Sequence, residues 1–292
     1  MPLVFVPTPL GNLRDVTLRA LDVLRDADLI VAEDTRVARR LLQALGIAGR
    51  ELWSYREQNA AGATPGIVER ARTALVAVTS DAGMPGISDP GTALVRAARA
   101  AGVSVEVLPG PSAAFGVAVL SGFSLRRFSF EGFPPRASRA RREAFARALR
   151  GGDATTLWYE SPGRIRAALA DLAAIAPDAE IFLVREYTKL HEQQAAGTPA
   201  RVAAELSEPV RGEIAFAVAP YELSDASPQR PSDGDADAEI DALLAENCRV
   251  GDIAKRLARR GYGDRGDLYA RASARKTGGK GAATSAERVT RP

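Results

Sequence analysis

The chain has 292 residues, 46% of them hydrophobic and 26% charged, with a formal net charge of +3, which suits two folded domains plus an appendage and excludes a disordered or collagen-like class. A single cysteine, Cys248, and a single histidine, His191, exclude an intrachain disulfide and a Cys/His metal cluster, so no bound metal is expected. No apolar run reaches the ~20 residues needed to cross a bilayer, and the start MPLVFVPTPLGN lacks the basic and long apolar segments of a secretion signal, so a cytoplasmic protein away from the membrane is expected.

Short β-branched or apolar runs alternate with segments of helical period, the pattern of α/β domains with largely parallel sheets. In the first half strands are expected at residues 3–6, 29–32, 75–79 and 103–108. Residues 17–26 place Leu18, Leu21 and Leu24 on one helical face, Thr35 reads as the cap of a helix that stops at Gly46, and Asp89-Pro90 reads as the start of a helix that stops at Gly102. The segment LSGFSLRR at 120–127 breaks this rhythm, which sets a first domain at 1–120 and a second at 121–222. The second should hold strands at 127–131, 155–159, 180–184 and 213–218, with helices starting at Ser161-Pro162 and Thr198-Pro199. A stretch rich in Ser, Pro, Asp and Gly reads as a linker over 223–237. Three short helices at 239–245, 250–260 and 267–274 then form a module over 238–275 with helix-turn-helix spacing, followed by a disordered basic tail over 276–292.

Charge is unevenly placed. Residues 136–150 carry six arginines (136, 139, 141, 142, 147 and 150) against one acid, Glu143. Residues 271–292 carry Arg271, Arg275, Lys276, Lys280, Arg288 and Arg291 against Glu287. Two such patches on a balanced protein suggest a polyanionic partner, although a soluble arginine-rich face gives the same pattern.

Three loops should open at the carboxyl edge of the first sheet, where open α/β sheets bind ligands. The first, VPTPLGNL at 6–13, is neither a G-x-G-x-x-G turn nor a phosphate-binding P-loop, which argues against a dinucleotide enzyme or a nucleoside triphosphatase. The second, SDAGMPGISDPG at 80–91, packs three glycines and two prolines into twelve residues, a winding backbone suited to close ligand approach. The third, PGPSA at 109–113, offers the Ser112 hydroxyl.

TPLGNLRDVTLRAL, AEDTR, SDAGMPGISDPG, PGPSA, FEGFPPR and YESPGR follow one another as in the RsmI family of ribosomal RNA small-subunit methyltransferases, within the tetrapyrrole methylase superfamily. The resemblance covers roughly residues 2–220, and DIAKRLARRGYGDRGDLYARA resembles the same family's C-terminal helix-turn-helix region. It implies two α/β domains of tetrapyrrole-methylase type with a small C-terminal helical module. It further implies a homodimer that binds S-adenosyl-L-methionine between the domains and methylates the ribose 2′-hydroxyl of a cytidine in the decoding region of 16S ribosomal RNA, within the small ribosomal subunit. Carried over position by position, Pro9, Leu10, Gly11, Asn12, Asp81, Ala82, Gly83, Ile87, Ser112 and Ala113 should contact the cofactor, with Tyr159 of WYESP as a wall. The chain departs from the family pattern at Gly163, where YESPHR has histidine, and at Arg56-Glu57-Gln58, where the family often has HEH-like residues; neither histidine is then needed for transfer.

A ribose hydroxyl is very weakly acidic, so a base or an alkoxide-stabilising cation would assist its attack. Glu33 and Asp34 of AEDTR, and Arg185, Glu186 and Lys189 of REYTK, are the candidates, each of which could equally form a structural ion pair. His191 is expected on the surface. Two other functions compete: methylation of a tetrapyrrole on the same scaffold, against which Gly11-Asn12-Leu13 stands in place of a GxGxGD-type loop, and a non-catalytic RNA-binding assembly factor.

Overall fold

The computed structural model describes residues 2–223, 233–245, 248–259 and 262–282. The chain divides into two units, Met1–Glu222 and Leu223–Pro292.

In the first unit, strands β1 (Leu3–Phe5), β2 (Leu29–Ala32), β3 (Glu51–Ser54), β4 (Val76–Thr79) and β5 (Val105–Val107) alternate with helices α1 (Leu18–Asp26), α2 (Thr35–Ala44), α3 (Ala60–Ala71) and α4 (Thr92–Ala100). The sheet order is β3-β2-β4-β1-β5 and every pairing is parallel. Successive strand side chains alternate between two cores. Leu3, Phe5, Leu29, Val31, Val76 and Val78 pack with Ile67, Leu94 and Tyr55, on the face covered by α3 and α4. Val4, Val6, Ile30 and Ala77 pack with Ala20, Leu24 and Leu42, on the face covered by α1 and α2. Each buried aliphatic side chain contributes roughly 1.5–3 kcal/mol by leaving water. The chain leaves β1 for one face and the adjacent β4 for the other, so their carboxyl ends form the switch point at which open α/β sheets bind ligands.

A second sheet holds β6 (Phe128–Gly132), β7 (Thr155–Glu160), β8 (Ile181–Arg185), β9 (Gln193–Gly197) and β10 (Ile214–Val218), in the order β6-β7-β10-β8-β9. Only β6 and β7 run parallel; β10 is antiparallel to both neighbours, and β8 to β9. The expectation of two largely parallel sheets therefore holds for the first and fails for the second. The short 186–192 turn returns the chain directly beside β8, which forces an antiparallel neighbour. Helix α5 (Ala113–Ser121) lies almost wholly in the span 1–120 assigned to the first domain, yet it buries Val117 and Ala118 against Leu157, Phe182, Val184, Ala215 and Ala217 of this sheet. On the sheet's other face Trp158 stacks on Phe216 and meets Phe145 of α6 (Ser138–Ala148) edge-on, with ring centroids 4.8 Å apart. Helices α7 (Ile165–Ala173) and α8 (Pro199–Glu205) complete the unit, α8 being capped by the Thr198 hydroxyl as its sequence suggests.

The second unit is three helices: α9 (Asp233–Ala245), α10 (Val250–Arg259) and α11 (Arg265–Ala282). Ala236, Ile240, Leu243, Ile253, Ala254, Leu257, Leu268 and Ala272 form its own core. Two boundaries differ from the sequence reading. Asp237, counted there in the linker, is helical and accepts from Arg271 at 2.6 Å, while Arg275 donates to Asp241. Helix α11 also runs on to Ala282, past 275, and the rest of the expected tail, 283–292, lies outside the described residues together with linker residues 224–232. Among the described residues no helix is long and apolar enough to cross a membrane.

Candidate active site

The loops after β1 and β4 are clamped to each other. Thr8 and Gly83 exchange two backbone hydrogen bonds, 2.9 and 3.0 Å long, in an isolated antiparallel bridge. The Ser80 hydroxyl donates to the Gly83 carbonyl at 3.0 Å and so closes the turn. Gly83 has φ +80°, and a Cβ there would lie 3.0 Å from Leu10 Cδ2, so a side chain is disfavoured both by backbone conformation and by space. Ser88, further along the loop, also sits at positive φ, 63°, without being glycine; such strain concentrates at functional sites.

Beyond this clamp lies a cavity of about 330 Å³, within the range of small-ligand sites. Leu10, Ala82, Gly83, Ile87, Ser112 and Ala113 line it from the first sheet's loops, and Tyr159, Val184, Ile214 and Ala215 from the second sheet. The Tyr159 hydroxyl accepts from the Ala114 N–H at 3.0 Å, which ties β7 to the start of α5 just after the Ser112 loop, and burial raises its pKa. The buried Ser112 hydroxyl has no hydrogen-bond partner, an arrangement that a ligand with a polar group would complete. An apolar floor, a close-approach glycine turn and an orphaned hydroxyl fit a nucleoside-bearing cofactor such as S-adenosylmethionine. Seven of the carried-over residues thus share one cavity. Pro9, Gly11, Asn12 and Asp81 do not line it: the Asn12 N–H donates to the Thr188 hydroxyl and Gly11 lies against Lys189, so that end of the first loop meets the 186–190 turn, and Asp81 lines the neighbouring cavity instead.

A second cavity, about 660 Å³, adjoins the first at the carboxyl ends of β2, β3 and β4. Glu33, Asp34, Arg56, Glu57, Gln58, Asp81, Ser88 and Asp89 line it, and Ser88 and Asp89 belong to both cavities. Asp34, and not Thr35, caps α2: its carboxylate accepts from the Arg36 N–H at 2.8 Å and also pairs with the Arg36 and Arg56 side chains. Those hydrogen bonds from Arg36 hold it well below the usual carboxylate range. Burial pushes Glu33 upward, reinforced by the Asp81 charge, and pushes Asp81 upward as well. Asp89 is driven furthest, to about 7, by burial first and then by the charges of Glu33 and Asp81. The sequence reading made Asp89-Pro90 the start of a helix; α4 instead begins at Thr92 after Gly91, which frees Asp89 to face the cavities. The signal available beforehand was an acid held between Ser88 and Pro90 in a loop of fixed geometry.

The remaining candidates serve the 185–192 turn. Arg185 donates to the Gln193 side chain and to the Arg211 and His191 carbonyls. Lys189 bridges Glu186 and Glu213 at 2.9 and 2.8 Å. Burial alone would raise Glu186, but the bonds from Lys189 and the Glu213 N–H outweigh it and lower its pKa, while both carboxylates raise that of Lys189 against burial. Tyr187 and Phe133, absent from the sequence reading, also line the first cavity. His191 is exposed as expected. Among the described residues no group of acids, histidines and cysteines could hold a metal ion.

The arginine-rich segment resolves into two kinds of residue. Arg141 is 5% exposed and pairs with Asp171 at 2.5 Å, so it belongs to the core and not to a docking face. Arg136, Arg139, Arg142, Arg147 and Arg150 are exposed.

Residues 2–203 match the family of tetrapyrrole (corrin/porphyrin) methylases. A ribosomal RNA small subunit methyltransferase I of Thermotoga maritima is 42% identical over 192 residues, 65% of this chain and 85% of that protein. One of Streptococcus pyogenes is 35% identical over 269 residues, 91% of this chain and 93% of that protein. Among solved structures, diphthine synthase superposes with a TM-score of 0.59 at 16% identity, over 75% of this chain and 90% of that one, a likeness of fold. With its cleft between two α/β sheets, and with this identity along nearly the whole length of such relatives, the chain belongs to the ribosomal RNA small subunit methyltransferase I family of tetrapyrrole methylases.

Proposed function

We infer that this protein is an S-adenosylmethionine-dependent methyltransferase that modifies the 2′-hydroxyl of a cytidine in 16S ribosomal RNA, in the decoding region of the small subunit. The observation that carries this reading is 35% identity across 93% of a relative that bears that enzyme's name. S-adenosylmethionine supplies a methyl group on positively charged sulfur, so placing the acceptor in line with it is the protein's main task. Leu10, Ala82, Gly83, Ile87, Ser112, Ala113 and Tyr159 would hold the cofactor, and the Thr8–Gly83 clamp keeps their loops in register. The acidic cavity beside them repels phosphate and suits the uncharged part of a nucleotide, whereas a polycarboxylate tetrapyrrole would meet Glu33, Asp81 and Asp89 at close range.

A homodimer is part of this proposal. Its support is an exposed apolar strip: Phe115 and Val119 on α5 and Phe128 on edge strand β6 are 55%, 72% and 43% exposed, with Phe115 and Phe128 in edge-to-face contact. A cytoplasmic location follows from the substrate. Labelled methyl transfer, offered in parallel to small ribosomal subunits, naked 16S RNA and a tetrapyrrole and followed by ribose mapping, tests the reading. Label at a cytidine 2′-oxygen supports it; label on the tetrapyrrole alone refutes it.

A further inference from the structure

Three carboxylates line the cofactor cavity: Asp89, Glu160 and Glu213. Two of them are neutralised, Glu160 by Arg164 at 2.9 Å and Glu213 by Lys189 at 2.8 Å. Asp89 has no cation partner among the described residues, and it lines the polar cavity together with Glu33, whose charge raises its pKa after burial. Among the described residues, Asp89 is also the only acid that belongs to both cavities. It stands where an acceptor entering the polar cavity would meet a donor held in the apolar one.

Building on the methyl-transfer reading above, we propose that Asp89 is the general base of the reaction and takes the proton of the ribose 2′-hydroxyl. In that step the O–H bond breaks and its proton passes to the Asp89 carboxylate. The oxygen's electron pair forms the bond to the methyl carbon, and the carbon–sulfur bond breaks with its pair remaining on sulfur, which leaves as a neutral thioether. Negative carboxylate and positive sulfonium go in, and two neutral groups come out, so charge balances without a metal.

The surroundings set the working pH of this base. Glu33 and Asp34 follow β2, Arg56 follows β3, Asp81 shares the loop of Asp89, and Tyr159 and Glu213 come from the second sheet. Arg36 and Arg56 neutralise Asp34. Glu33 and Asp81 remain as the negative neighbours which, after burial, hold the Asp89 proton up to about pH 7. A base is most effective when its pKa lies near the operating pH.

The test uses the full chain, cofactor and small ribosomal subunits lacking the modification, with kcat and KM followed from about pH 5 to pH 9. The wild-type rate should rise with pH around a midpoint near 7. Asp89→Asn should lower kcat by about 100-fold or more and abolish that rise, while calorimetry shows the cofactor still bound to a folded protein. Glu33→Gln should remain active with the midpoint moved to lower pH, because a neutral neighbour eases ionisation of Asp89. Infrared titration of the cofactor-free protein supplies a readout apart from activity: a carboxyl that ionises near 7 should be present in the wild type and missing in Asp89→Asn. An active wild type whose Asp89→Asn variant keeps both kcat and the pH rise overturns the proposal alone. A wild type that labels a tetrapyrrole and no RNA overturns the substrate reading and this proposal with it.

Discussion

Replacing Asp89 by asparagine should make the protein more stable, and the gain should grow with pH. In the folded chain the Asp89 carboxyl keeps its proton up to about 7, against an ordinary 3.8. Below about pH 4 both the folded and unfolded forms hold that proton, and the residue costs nothing. As pH rises from there the unfolded chain ionises first, so the folded state loses stability progressively until pH passes 7, where the loss is complete. At about 1.4 kcal/mol per pK unit the full shift has a ceiling of about 4 kcal/mol. Asp89 is only partly buried and its titration is coupled to that of Glu33, which reduces the expected cost to roughly 1–2 kcal/mol. An asparagine amide stays uncharged and donates to Glu33, so Asp89→Asn recovers that amount at about pH 8 and a smaller part at about pH 5. For a unit of this size about 1 kcal/mol corresponds to roughly 2–4 °C in Tm. Thermal denaturation of the cofactor-free protein at the two pH values measures the difference. A Tm change that is equal at both, or a loss at the higher pH, would refute the electrostatic argument.

Gly83→Val should abolish cofactor binding, since φ +80° and a 3.0 Å approach to Leu10 leave no place for a branched side chain; unchanged calorimetric affinity in a folded variant would remove the site from this loop. Arg141→Gln should destabilise the protein by about 1–3 kcal/mol, because the buried Asp171 loses its main ion pair and keeps only the Ser138 hydroxyl and the more distant Arg142, which denaturant titration reads directly. Arg139→Gln with Arg147→Gln should leave stability within about 0.5 kcal/mol and weaken RNA binding with a shallower salt dependence, which filter binding at several salt concentrations decides. A chain ending at residue 222, the limit of the first unit, should keep cofactor affinity and lose RNA affinity; a truncated protein with unchanged catalytic efficiency on small subunits would leave target selection to the two-sheet body.

The strands most legible in the sequence are those buried on both faces. LVF, LIVA and VAVT read as apolar runs because helices cover both sides of their sheet. Edge strands ELWS and QQAAG, β3 and β9, were not among the expected strands, because an edge needs apolar residues on one side at most. The direction of β8–β10 was illegible for another reason: chain reversal depends on where the 186–192 turn sends the backbone, and periodicity carries no such information. Helix α5 shows the same limit at the scale of domains, since nothing in AAFGVAVLS tells which sheet it will cover. In the site, loop residues such as Leu10, Gly83 and Ser112 were legible because backbone-specifying residues crowd around them. Asp89 looked like a helix cap, and its chemistry depends on Glu33, which only the parallel pairing of β2 with β4 brings alongside.

An acidic cavity in an enzyme that acts on RNA looks self-defeating, because the substrate is a polyanion. The conflict resolves once the two charge systems are assigned to different steps. Exposed arginines on and around α6 would attract phosphate through long-range forces that salt screens within about 10 Å at 0.1 M, and on this reading they should govern how tightly RNA is held. The Glu33–Asp89 pair acts through burial and short-range charge, over distances at which salt has little effect, so it governs how readily the hydroxyl is deprotonated. Ionic strength should then move KM with little change in kcat, and pH near 7 should move kcat with little change in KM. The negative cavity also contributes to selectivity. A phosphate that strays into it meets Glu33, Asp81 and Asp89 together, whereas a ribose with its uncharged base does not, so only an unstacked nucleoside, with its phosphates kept outside, can bring a 2′-hydroxyl to the base.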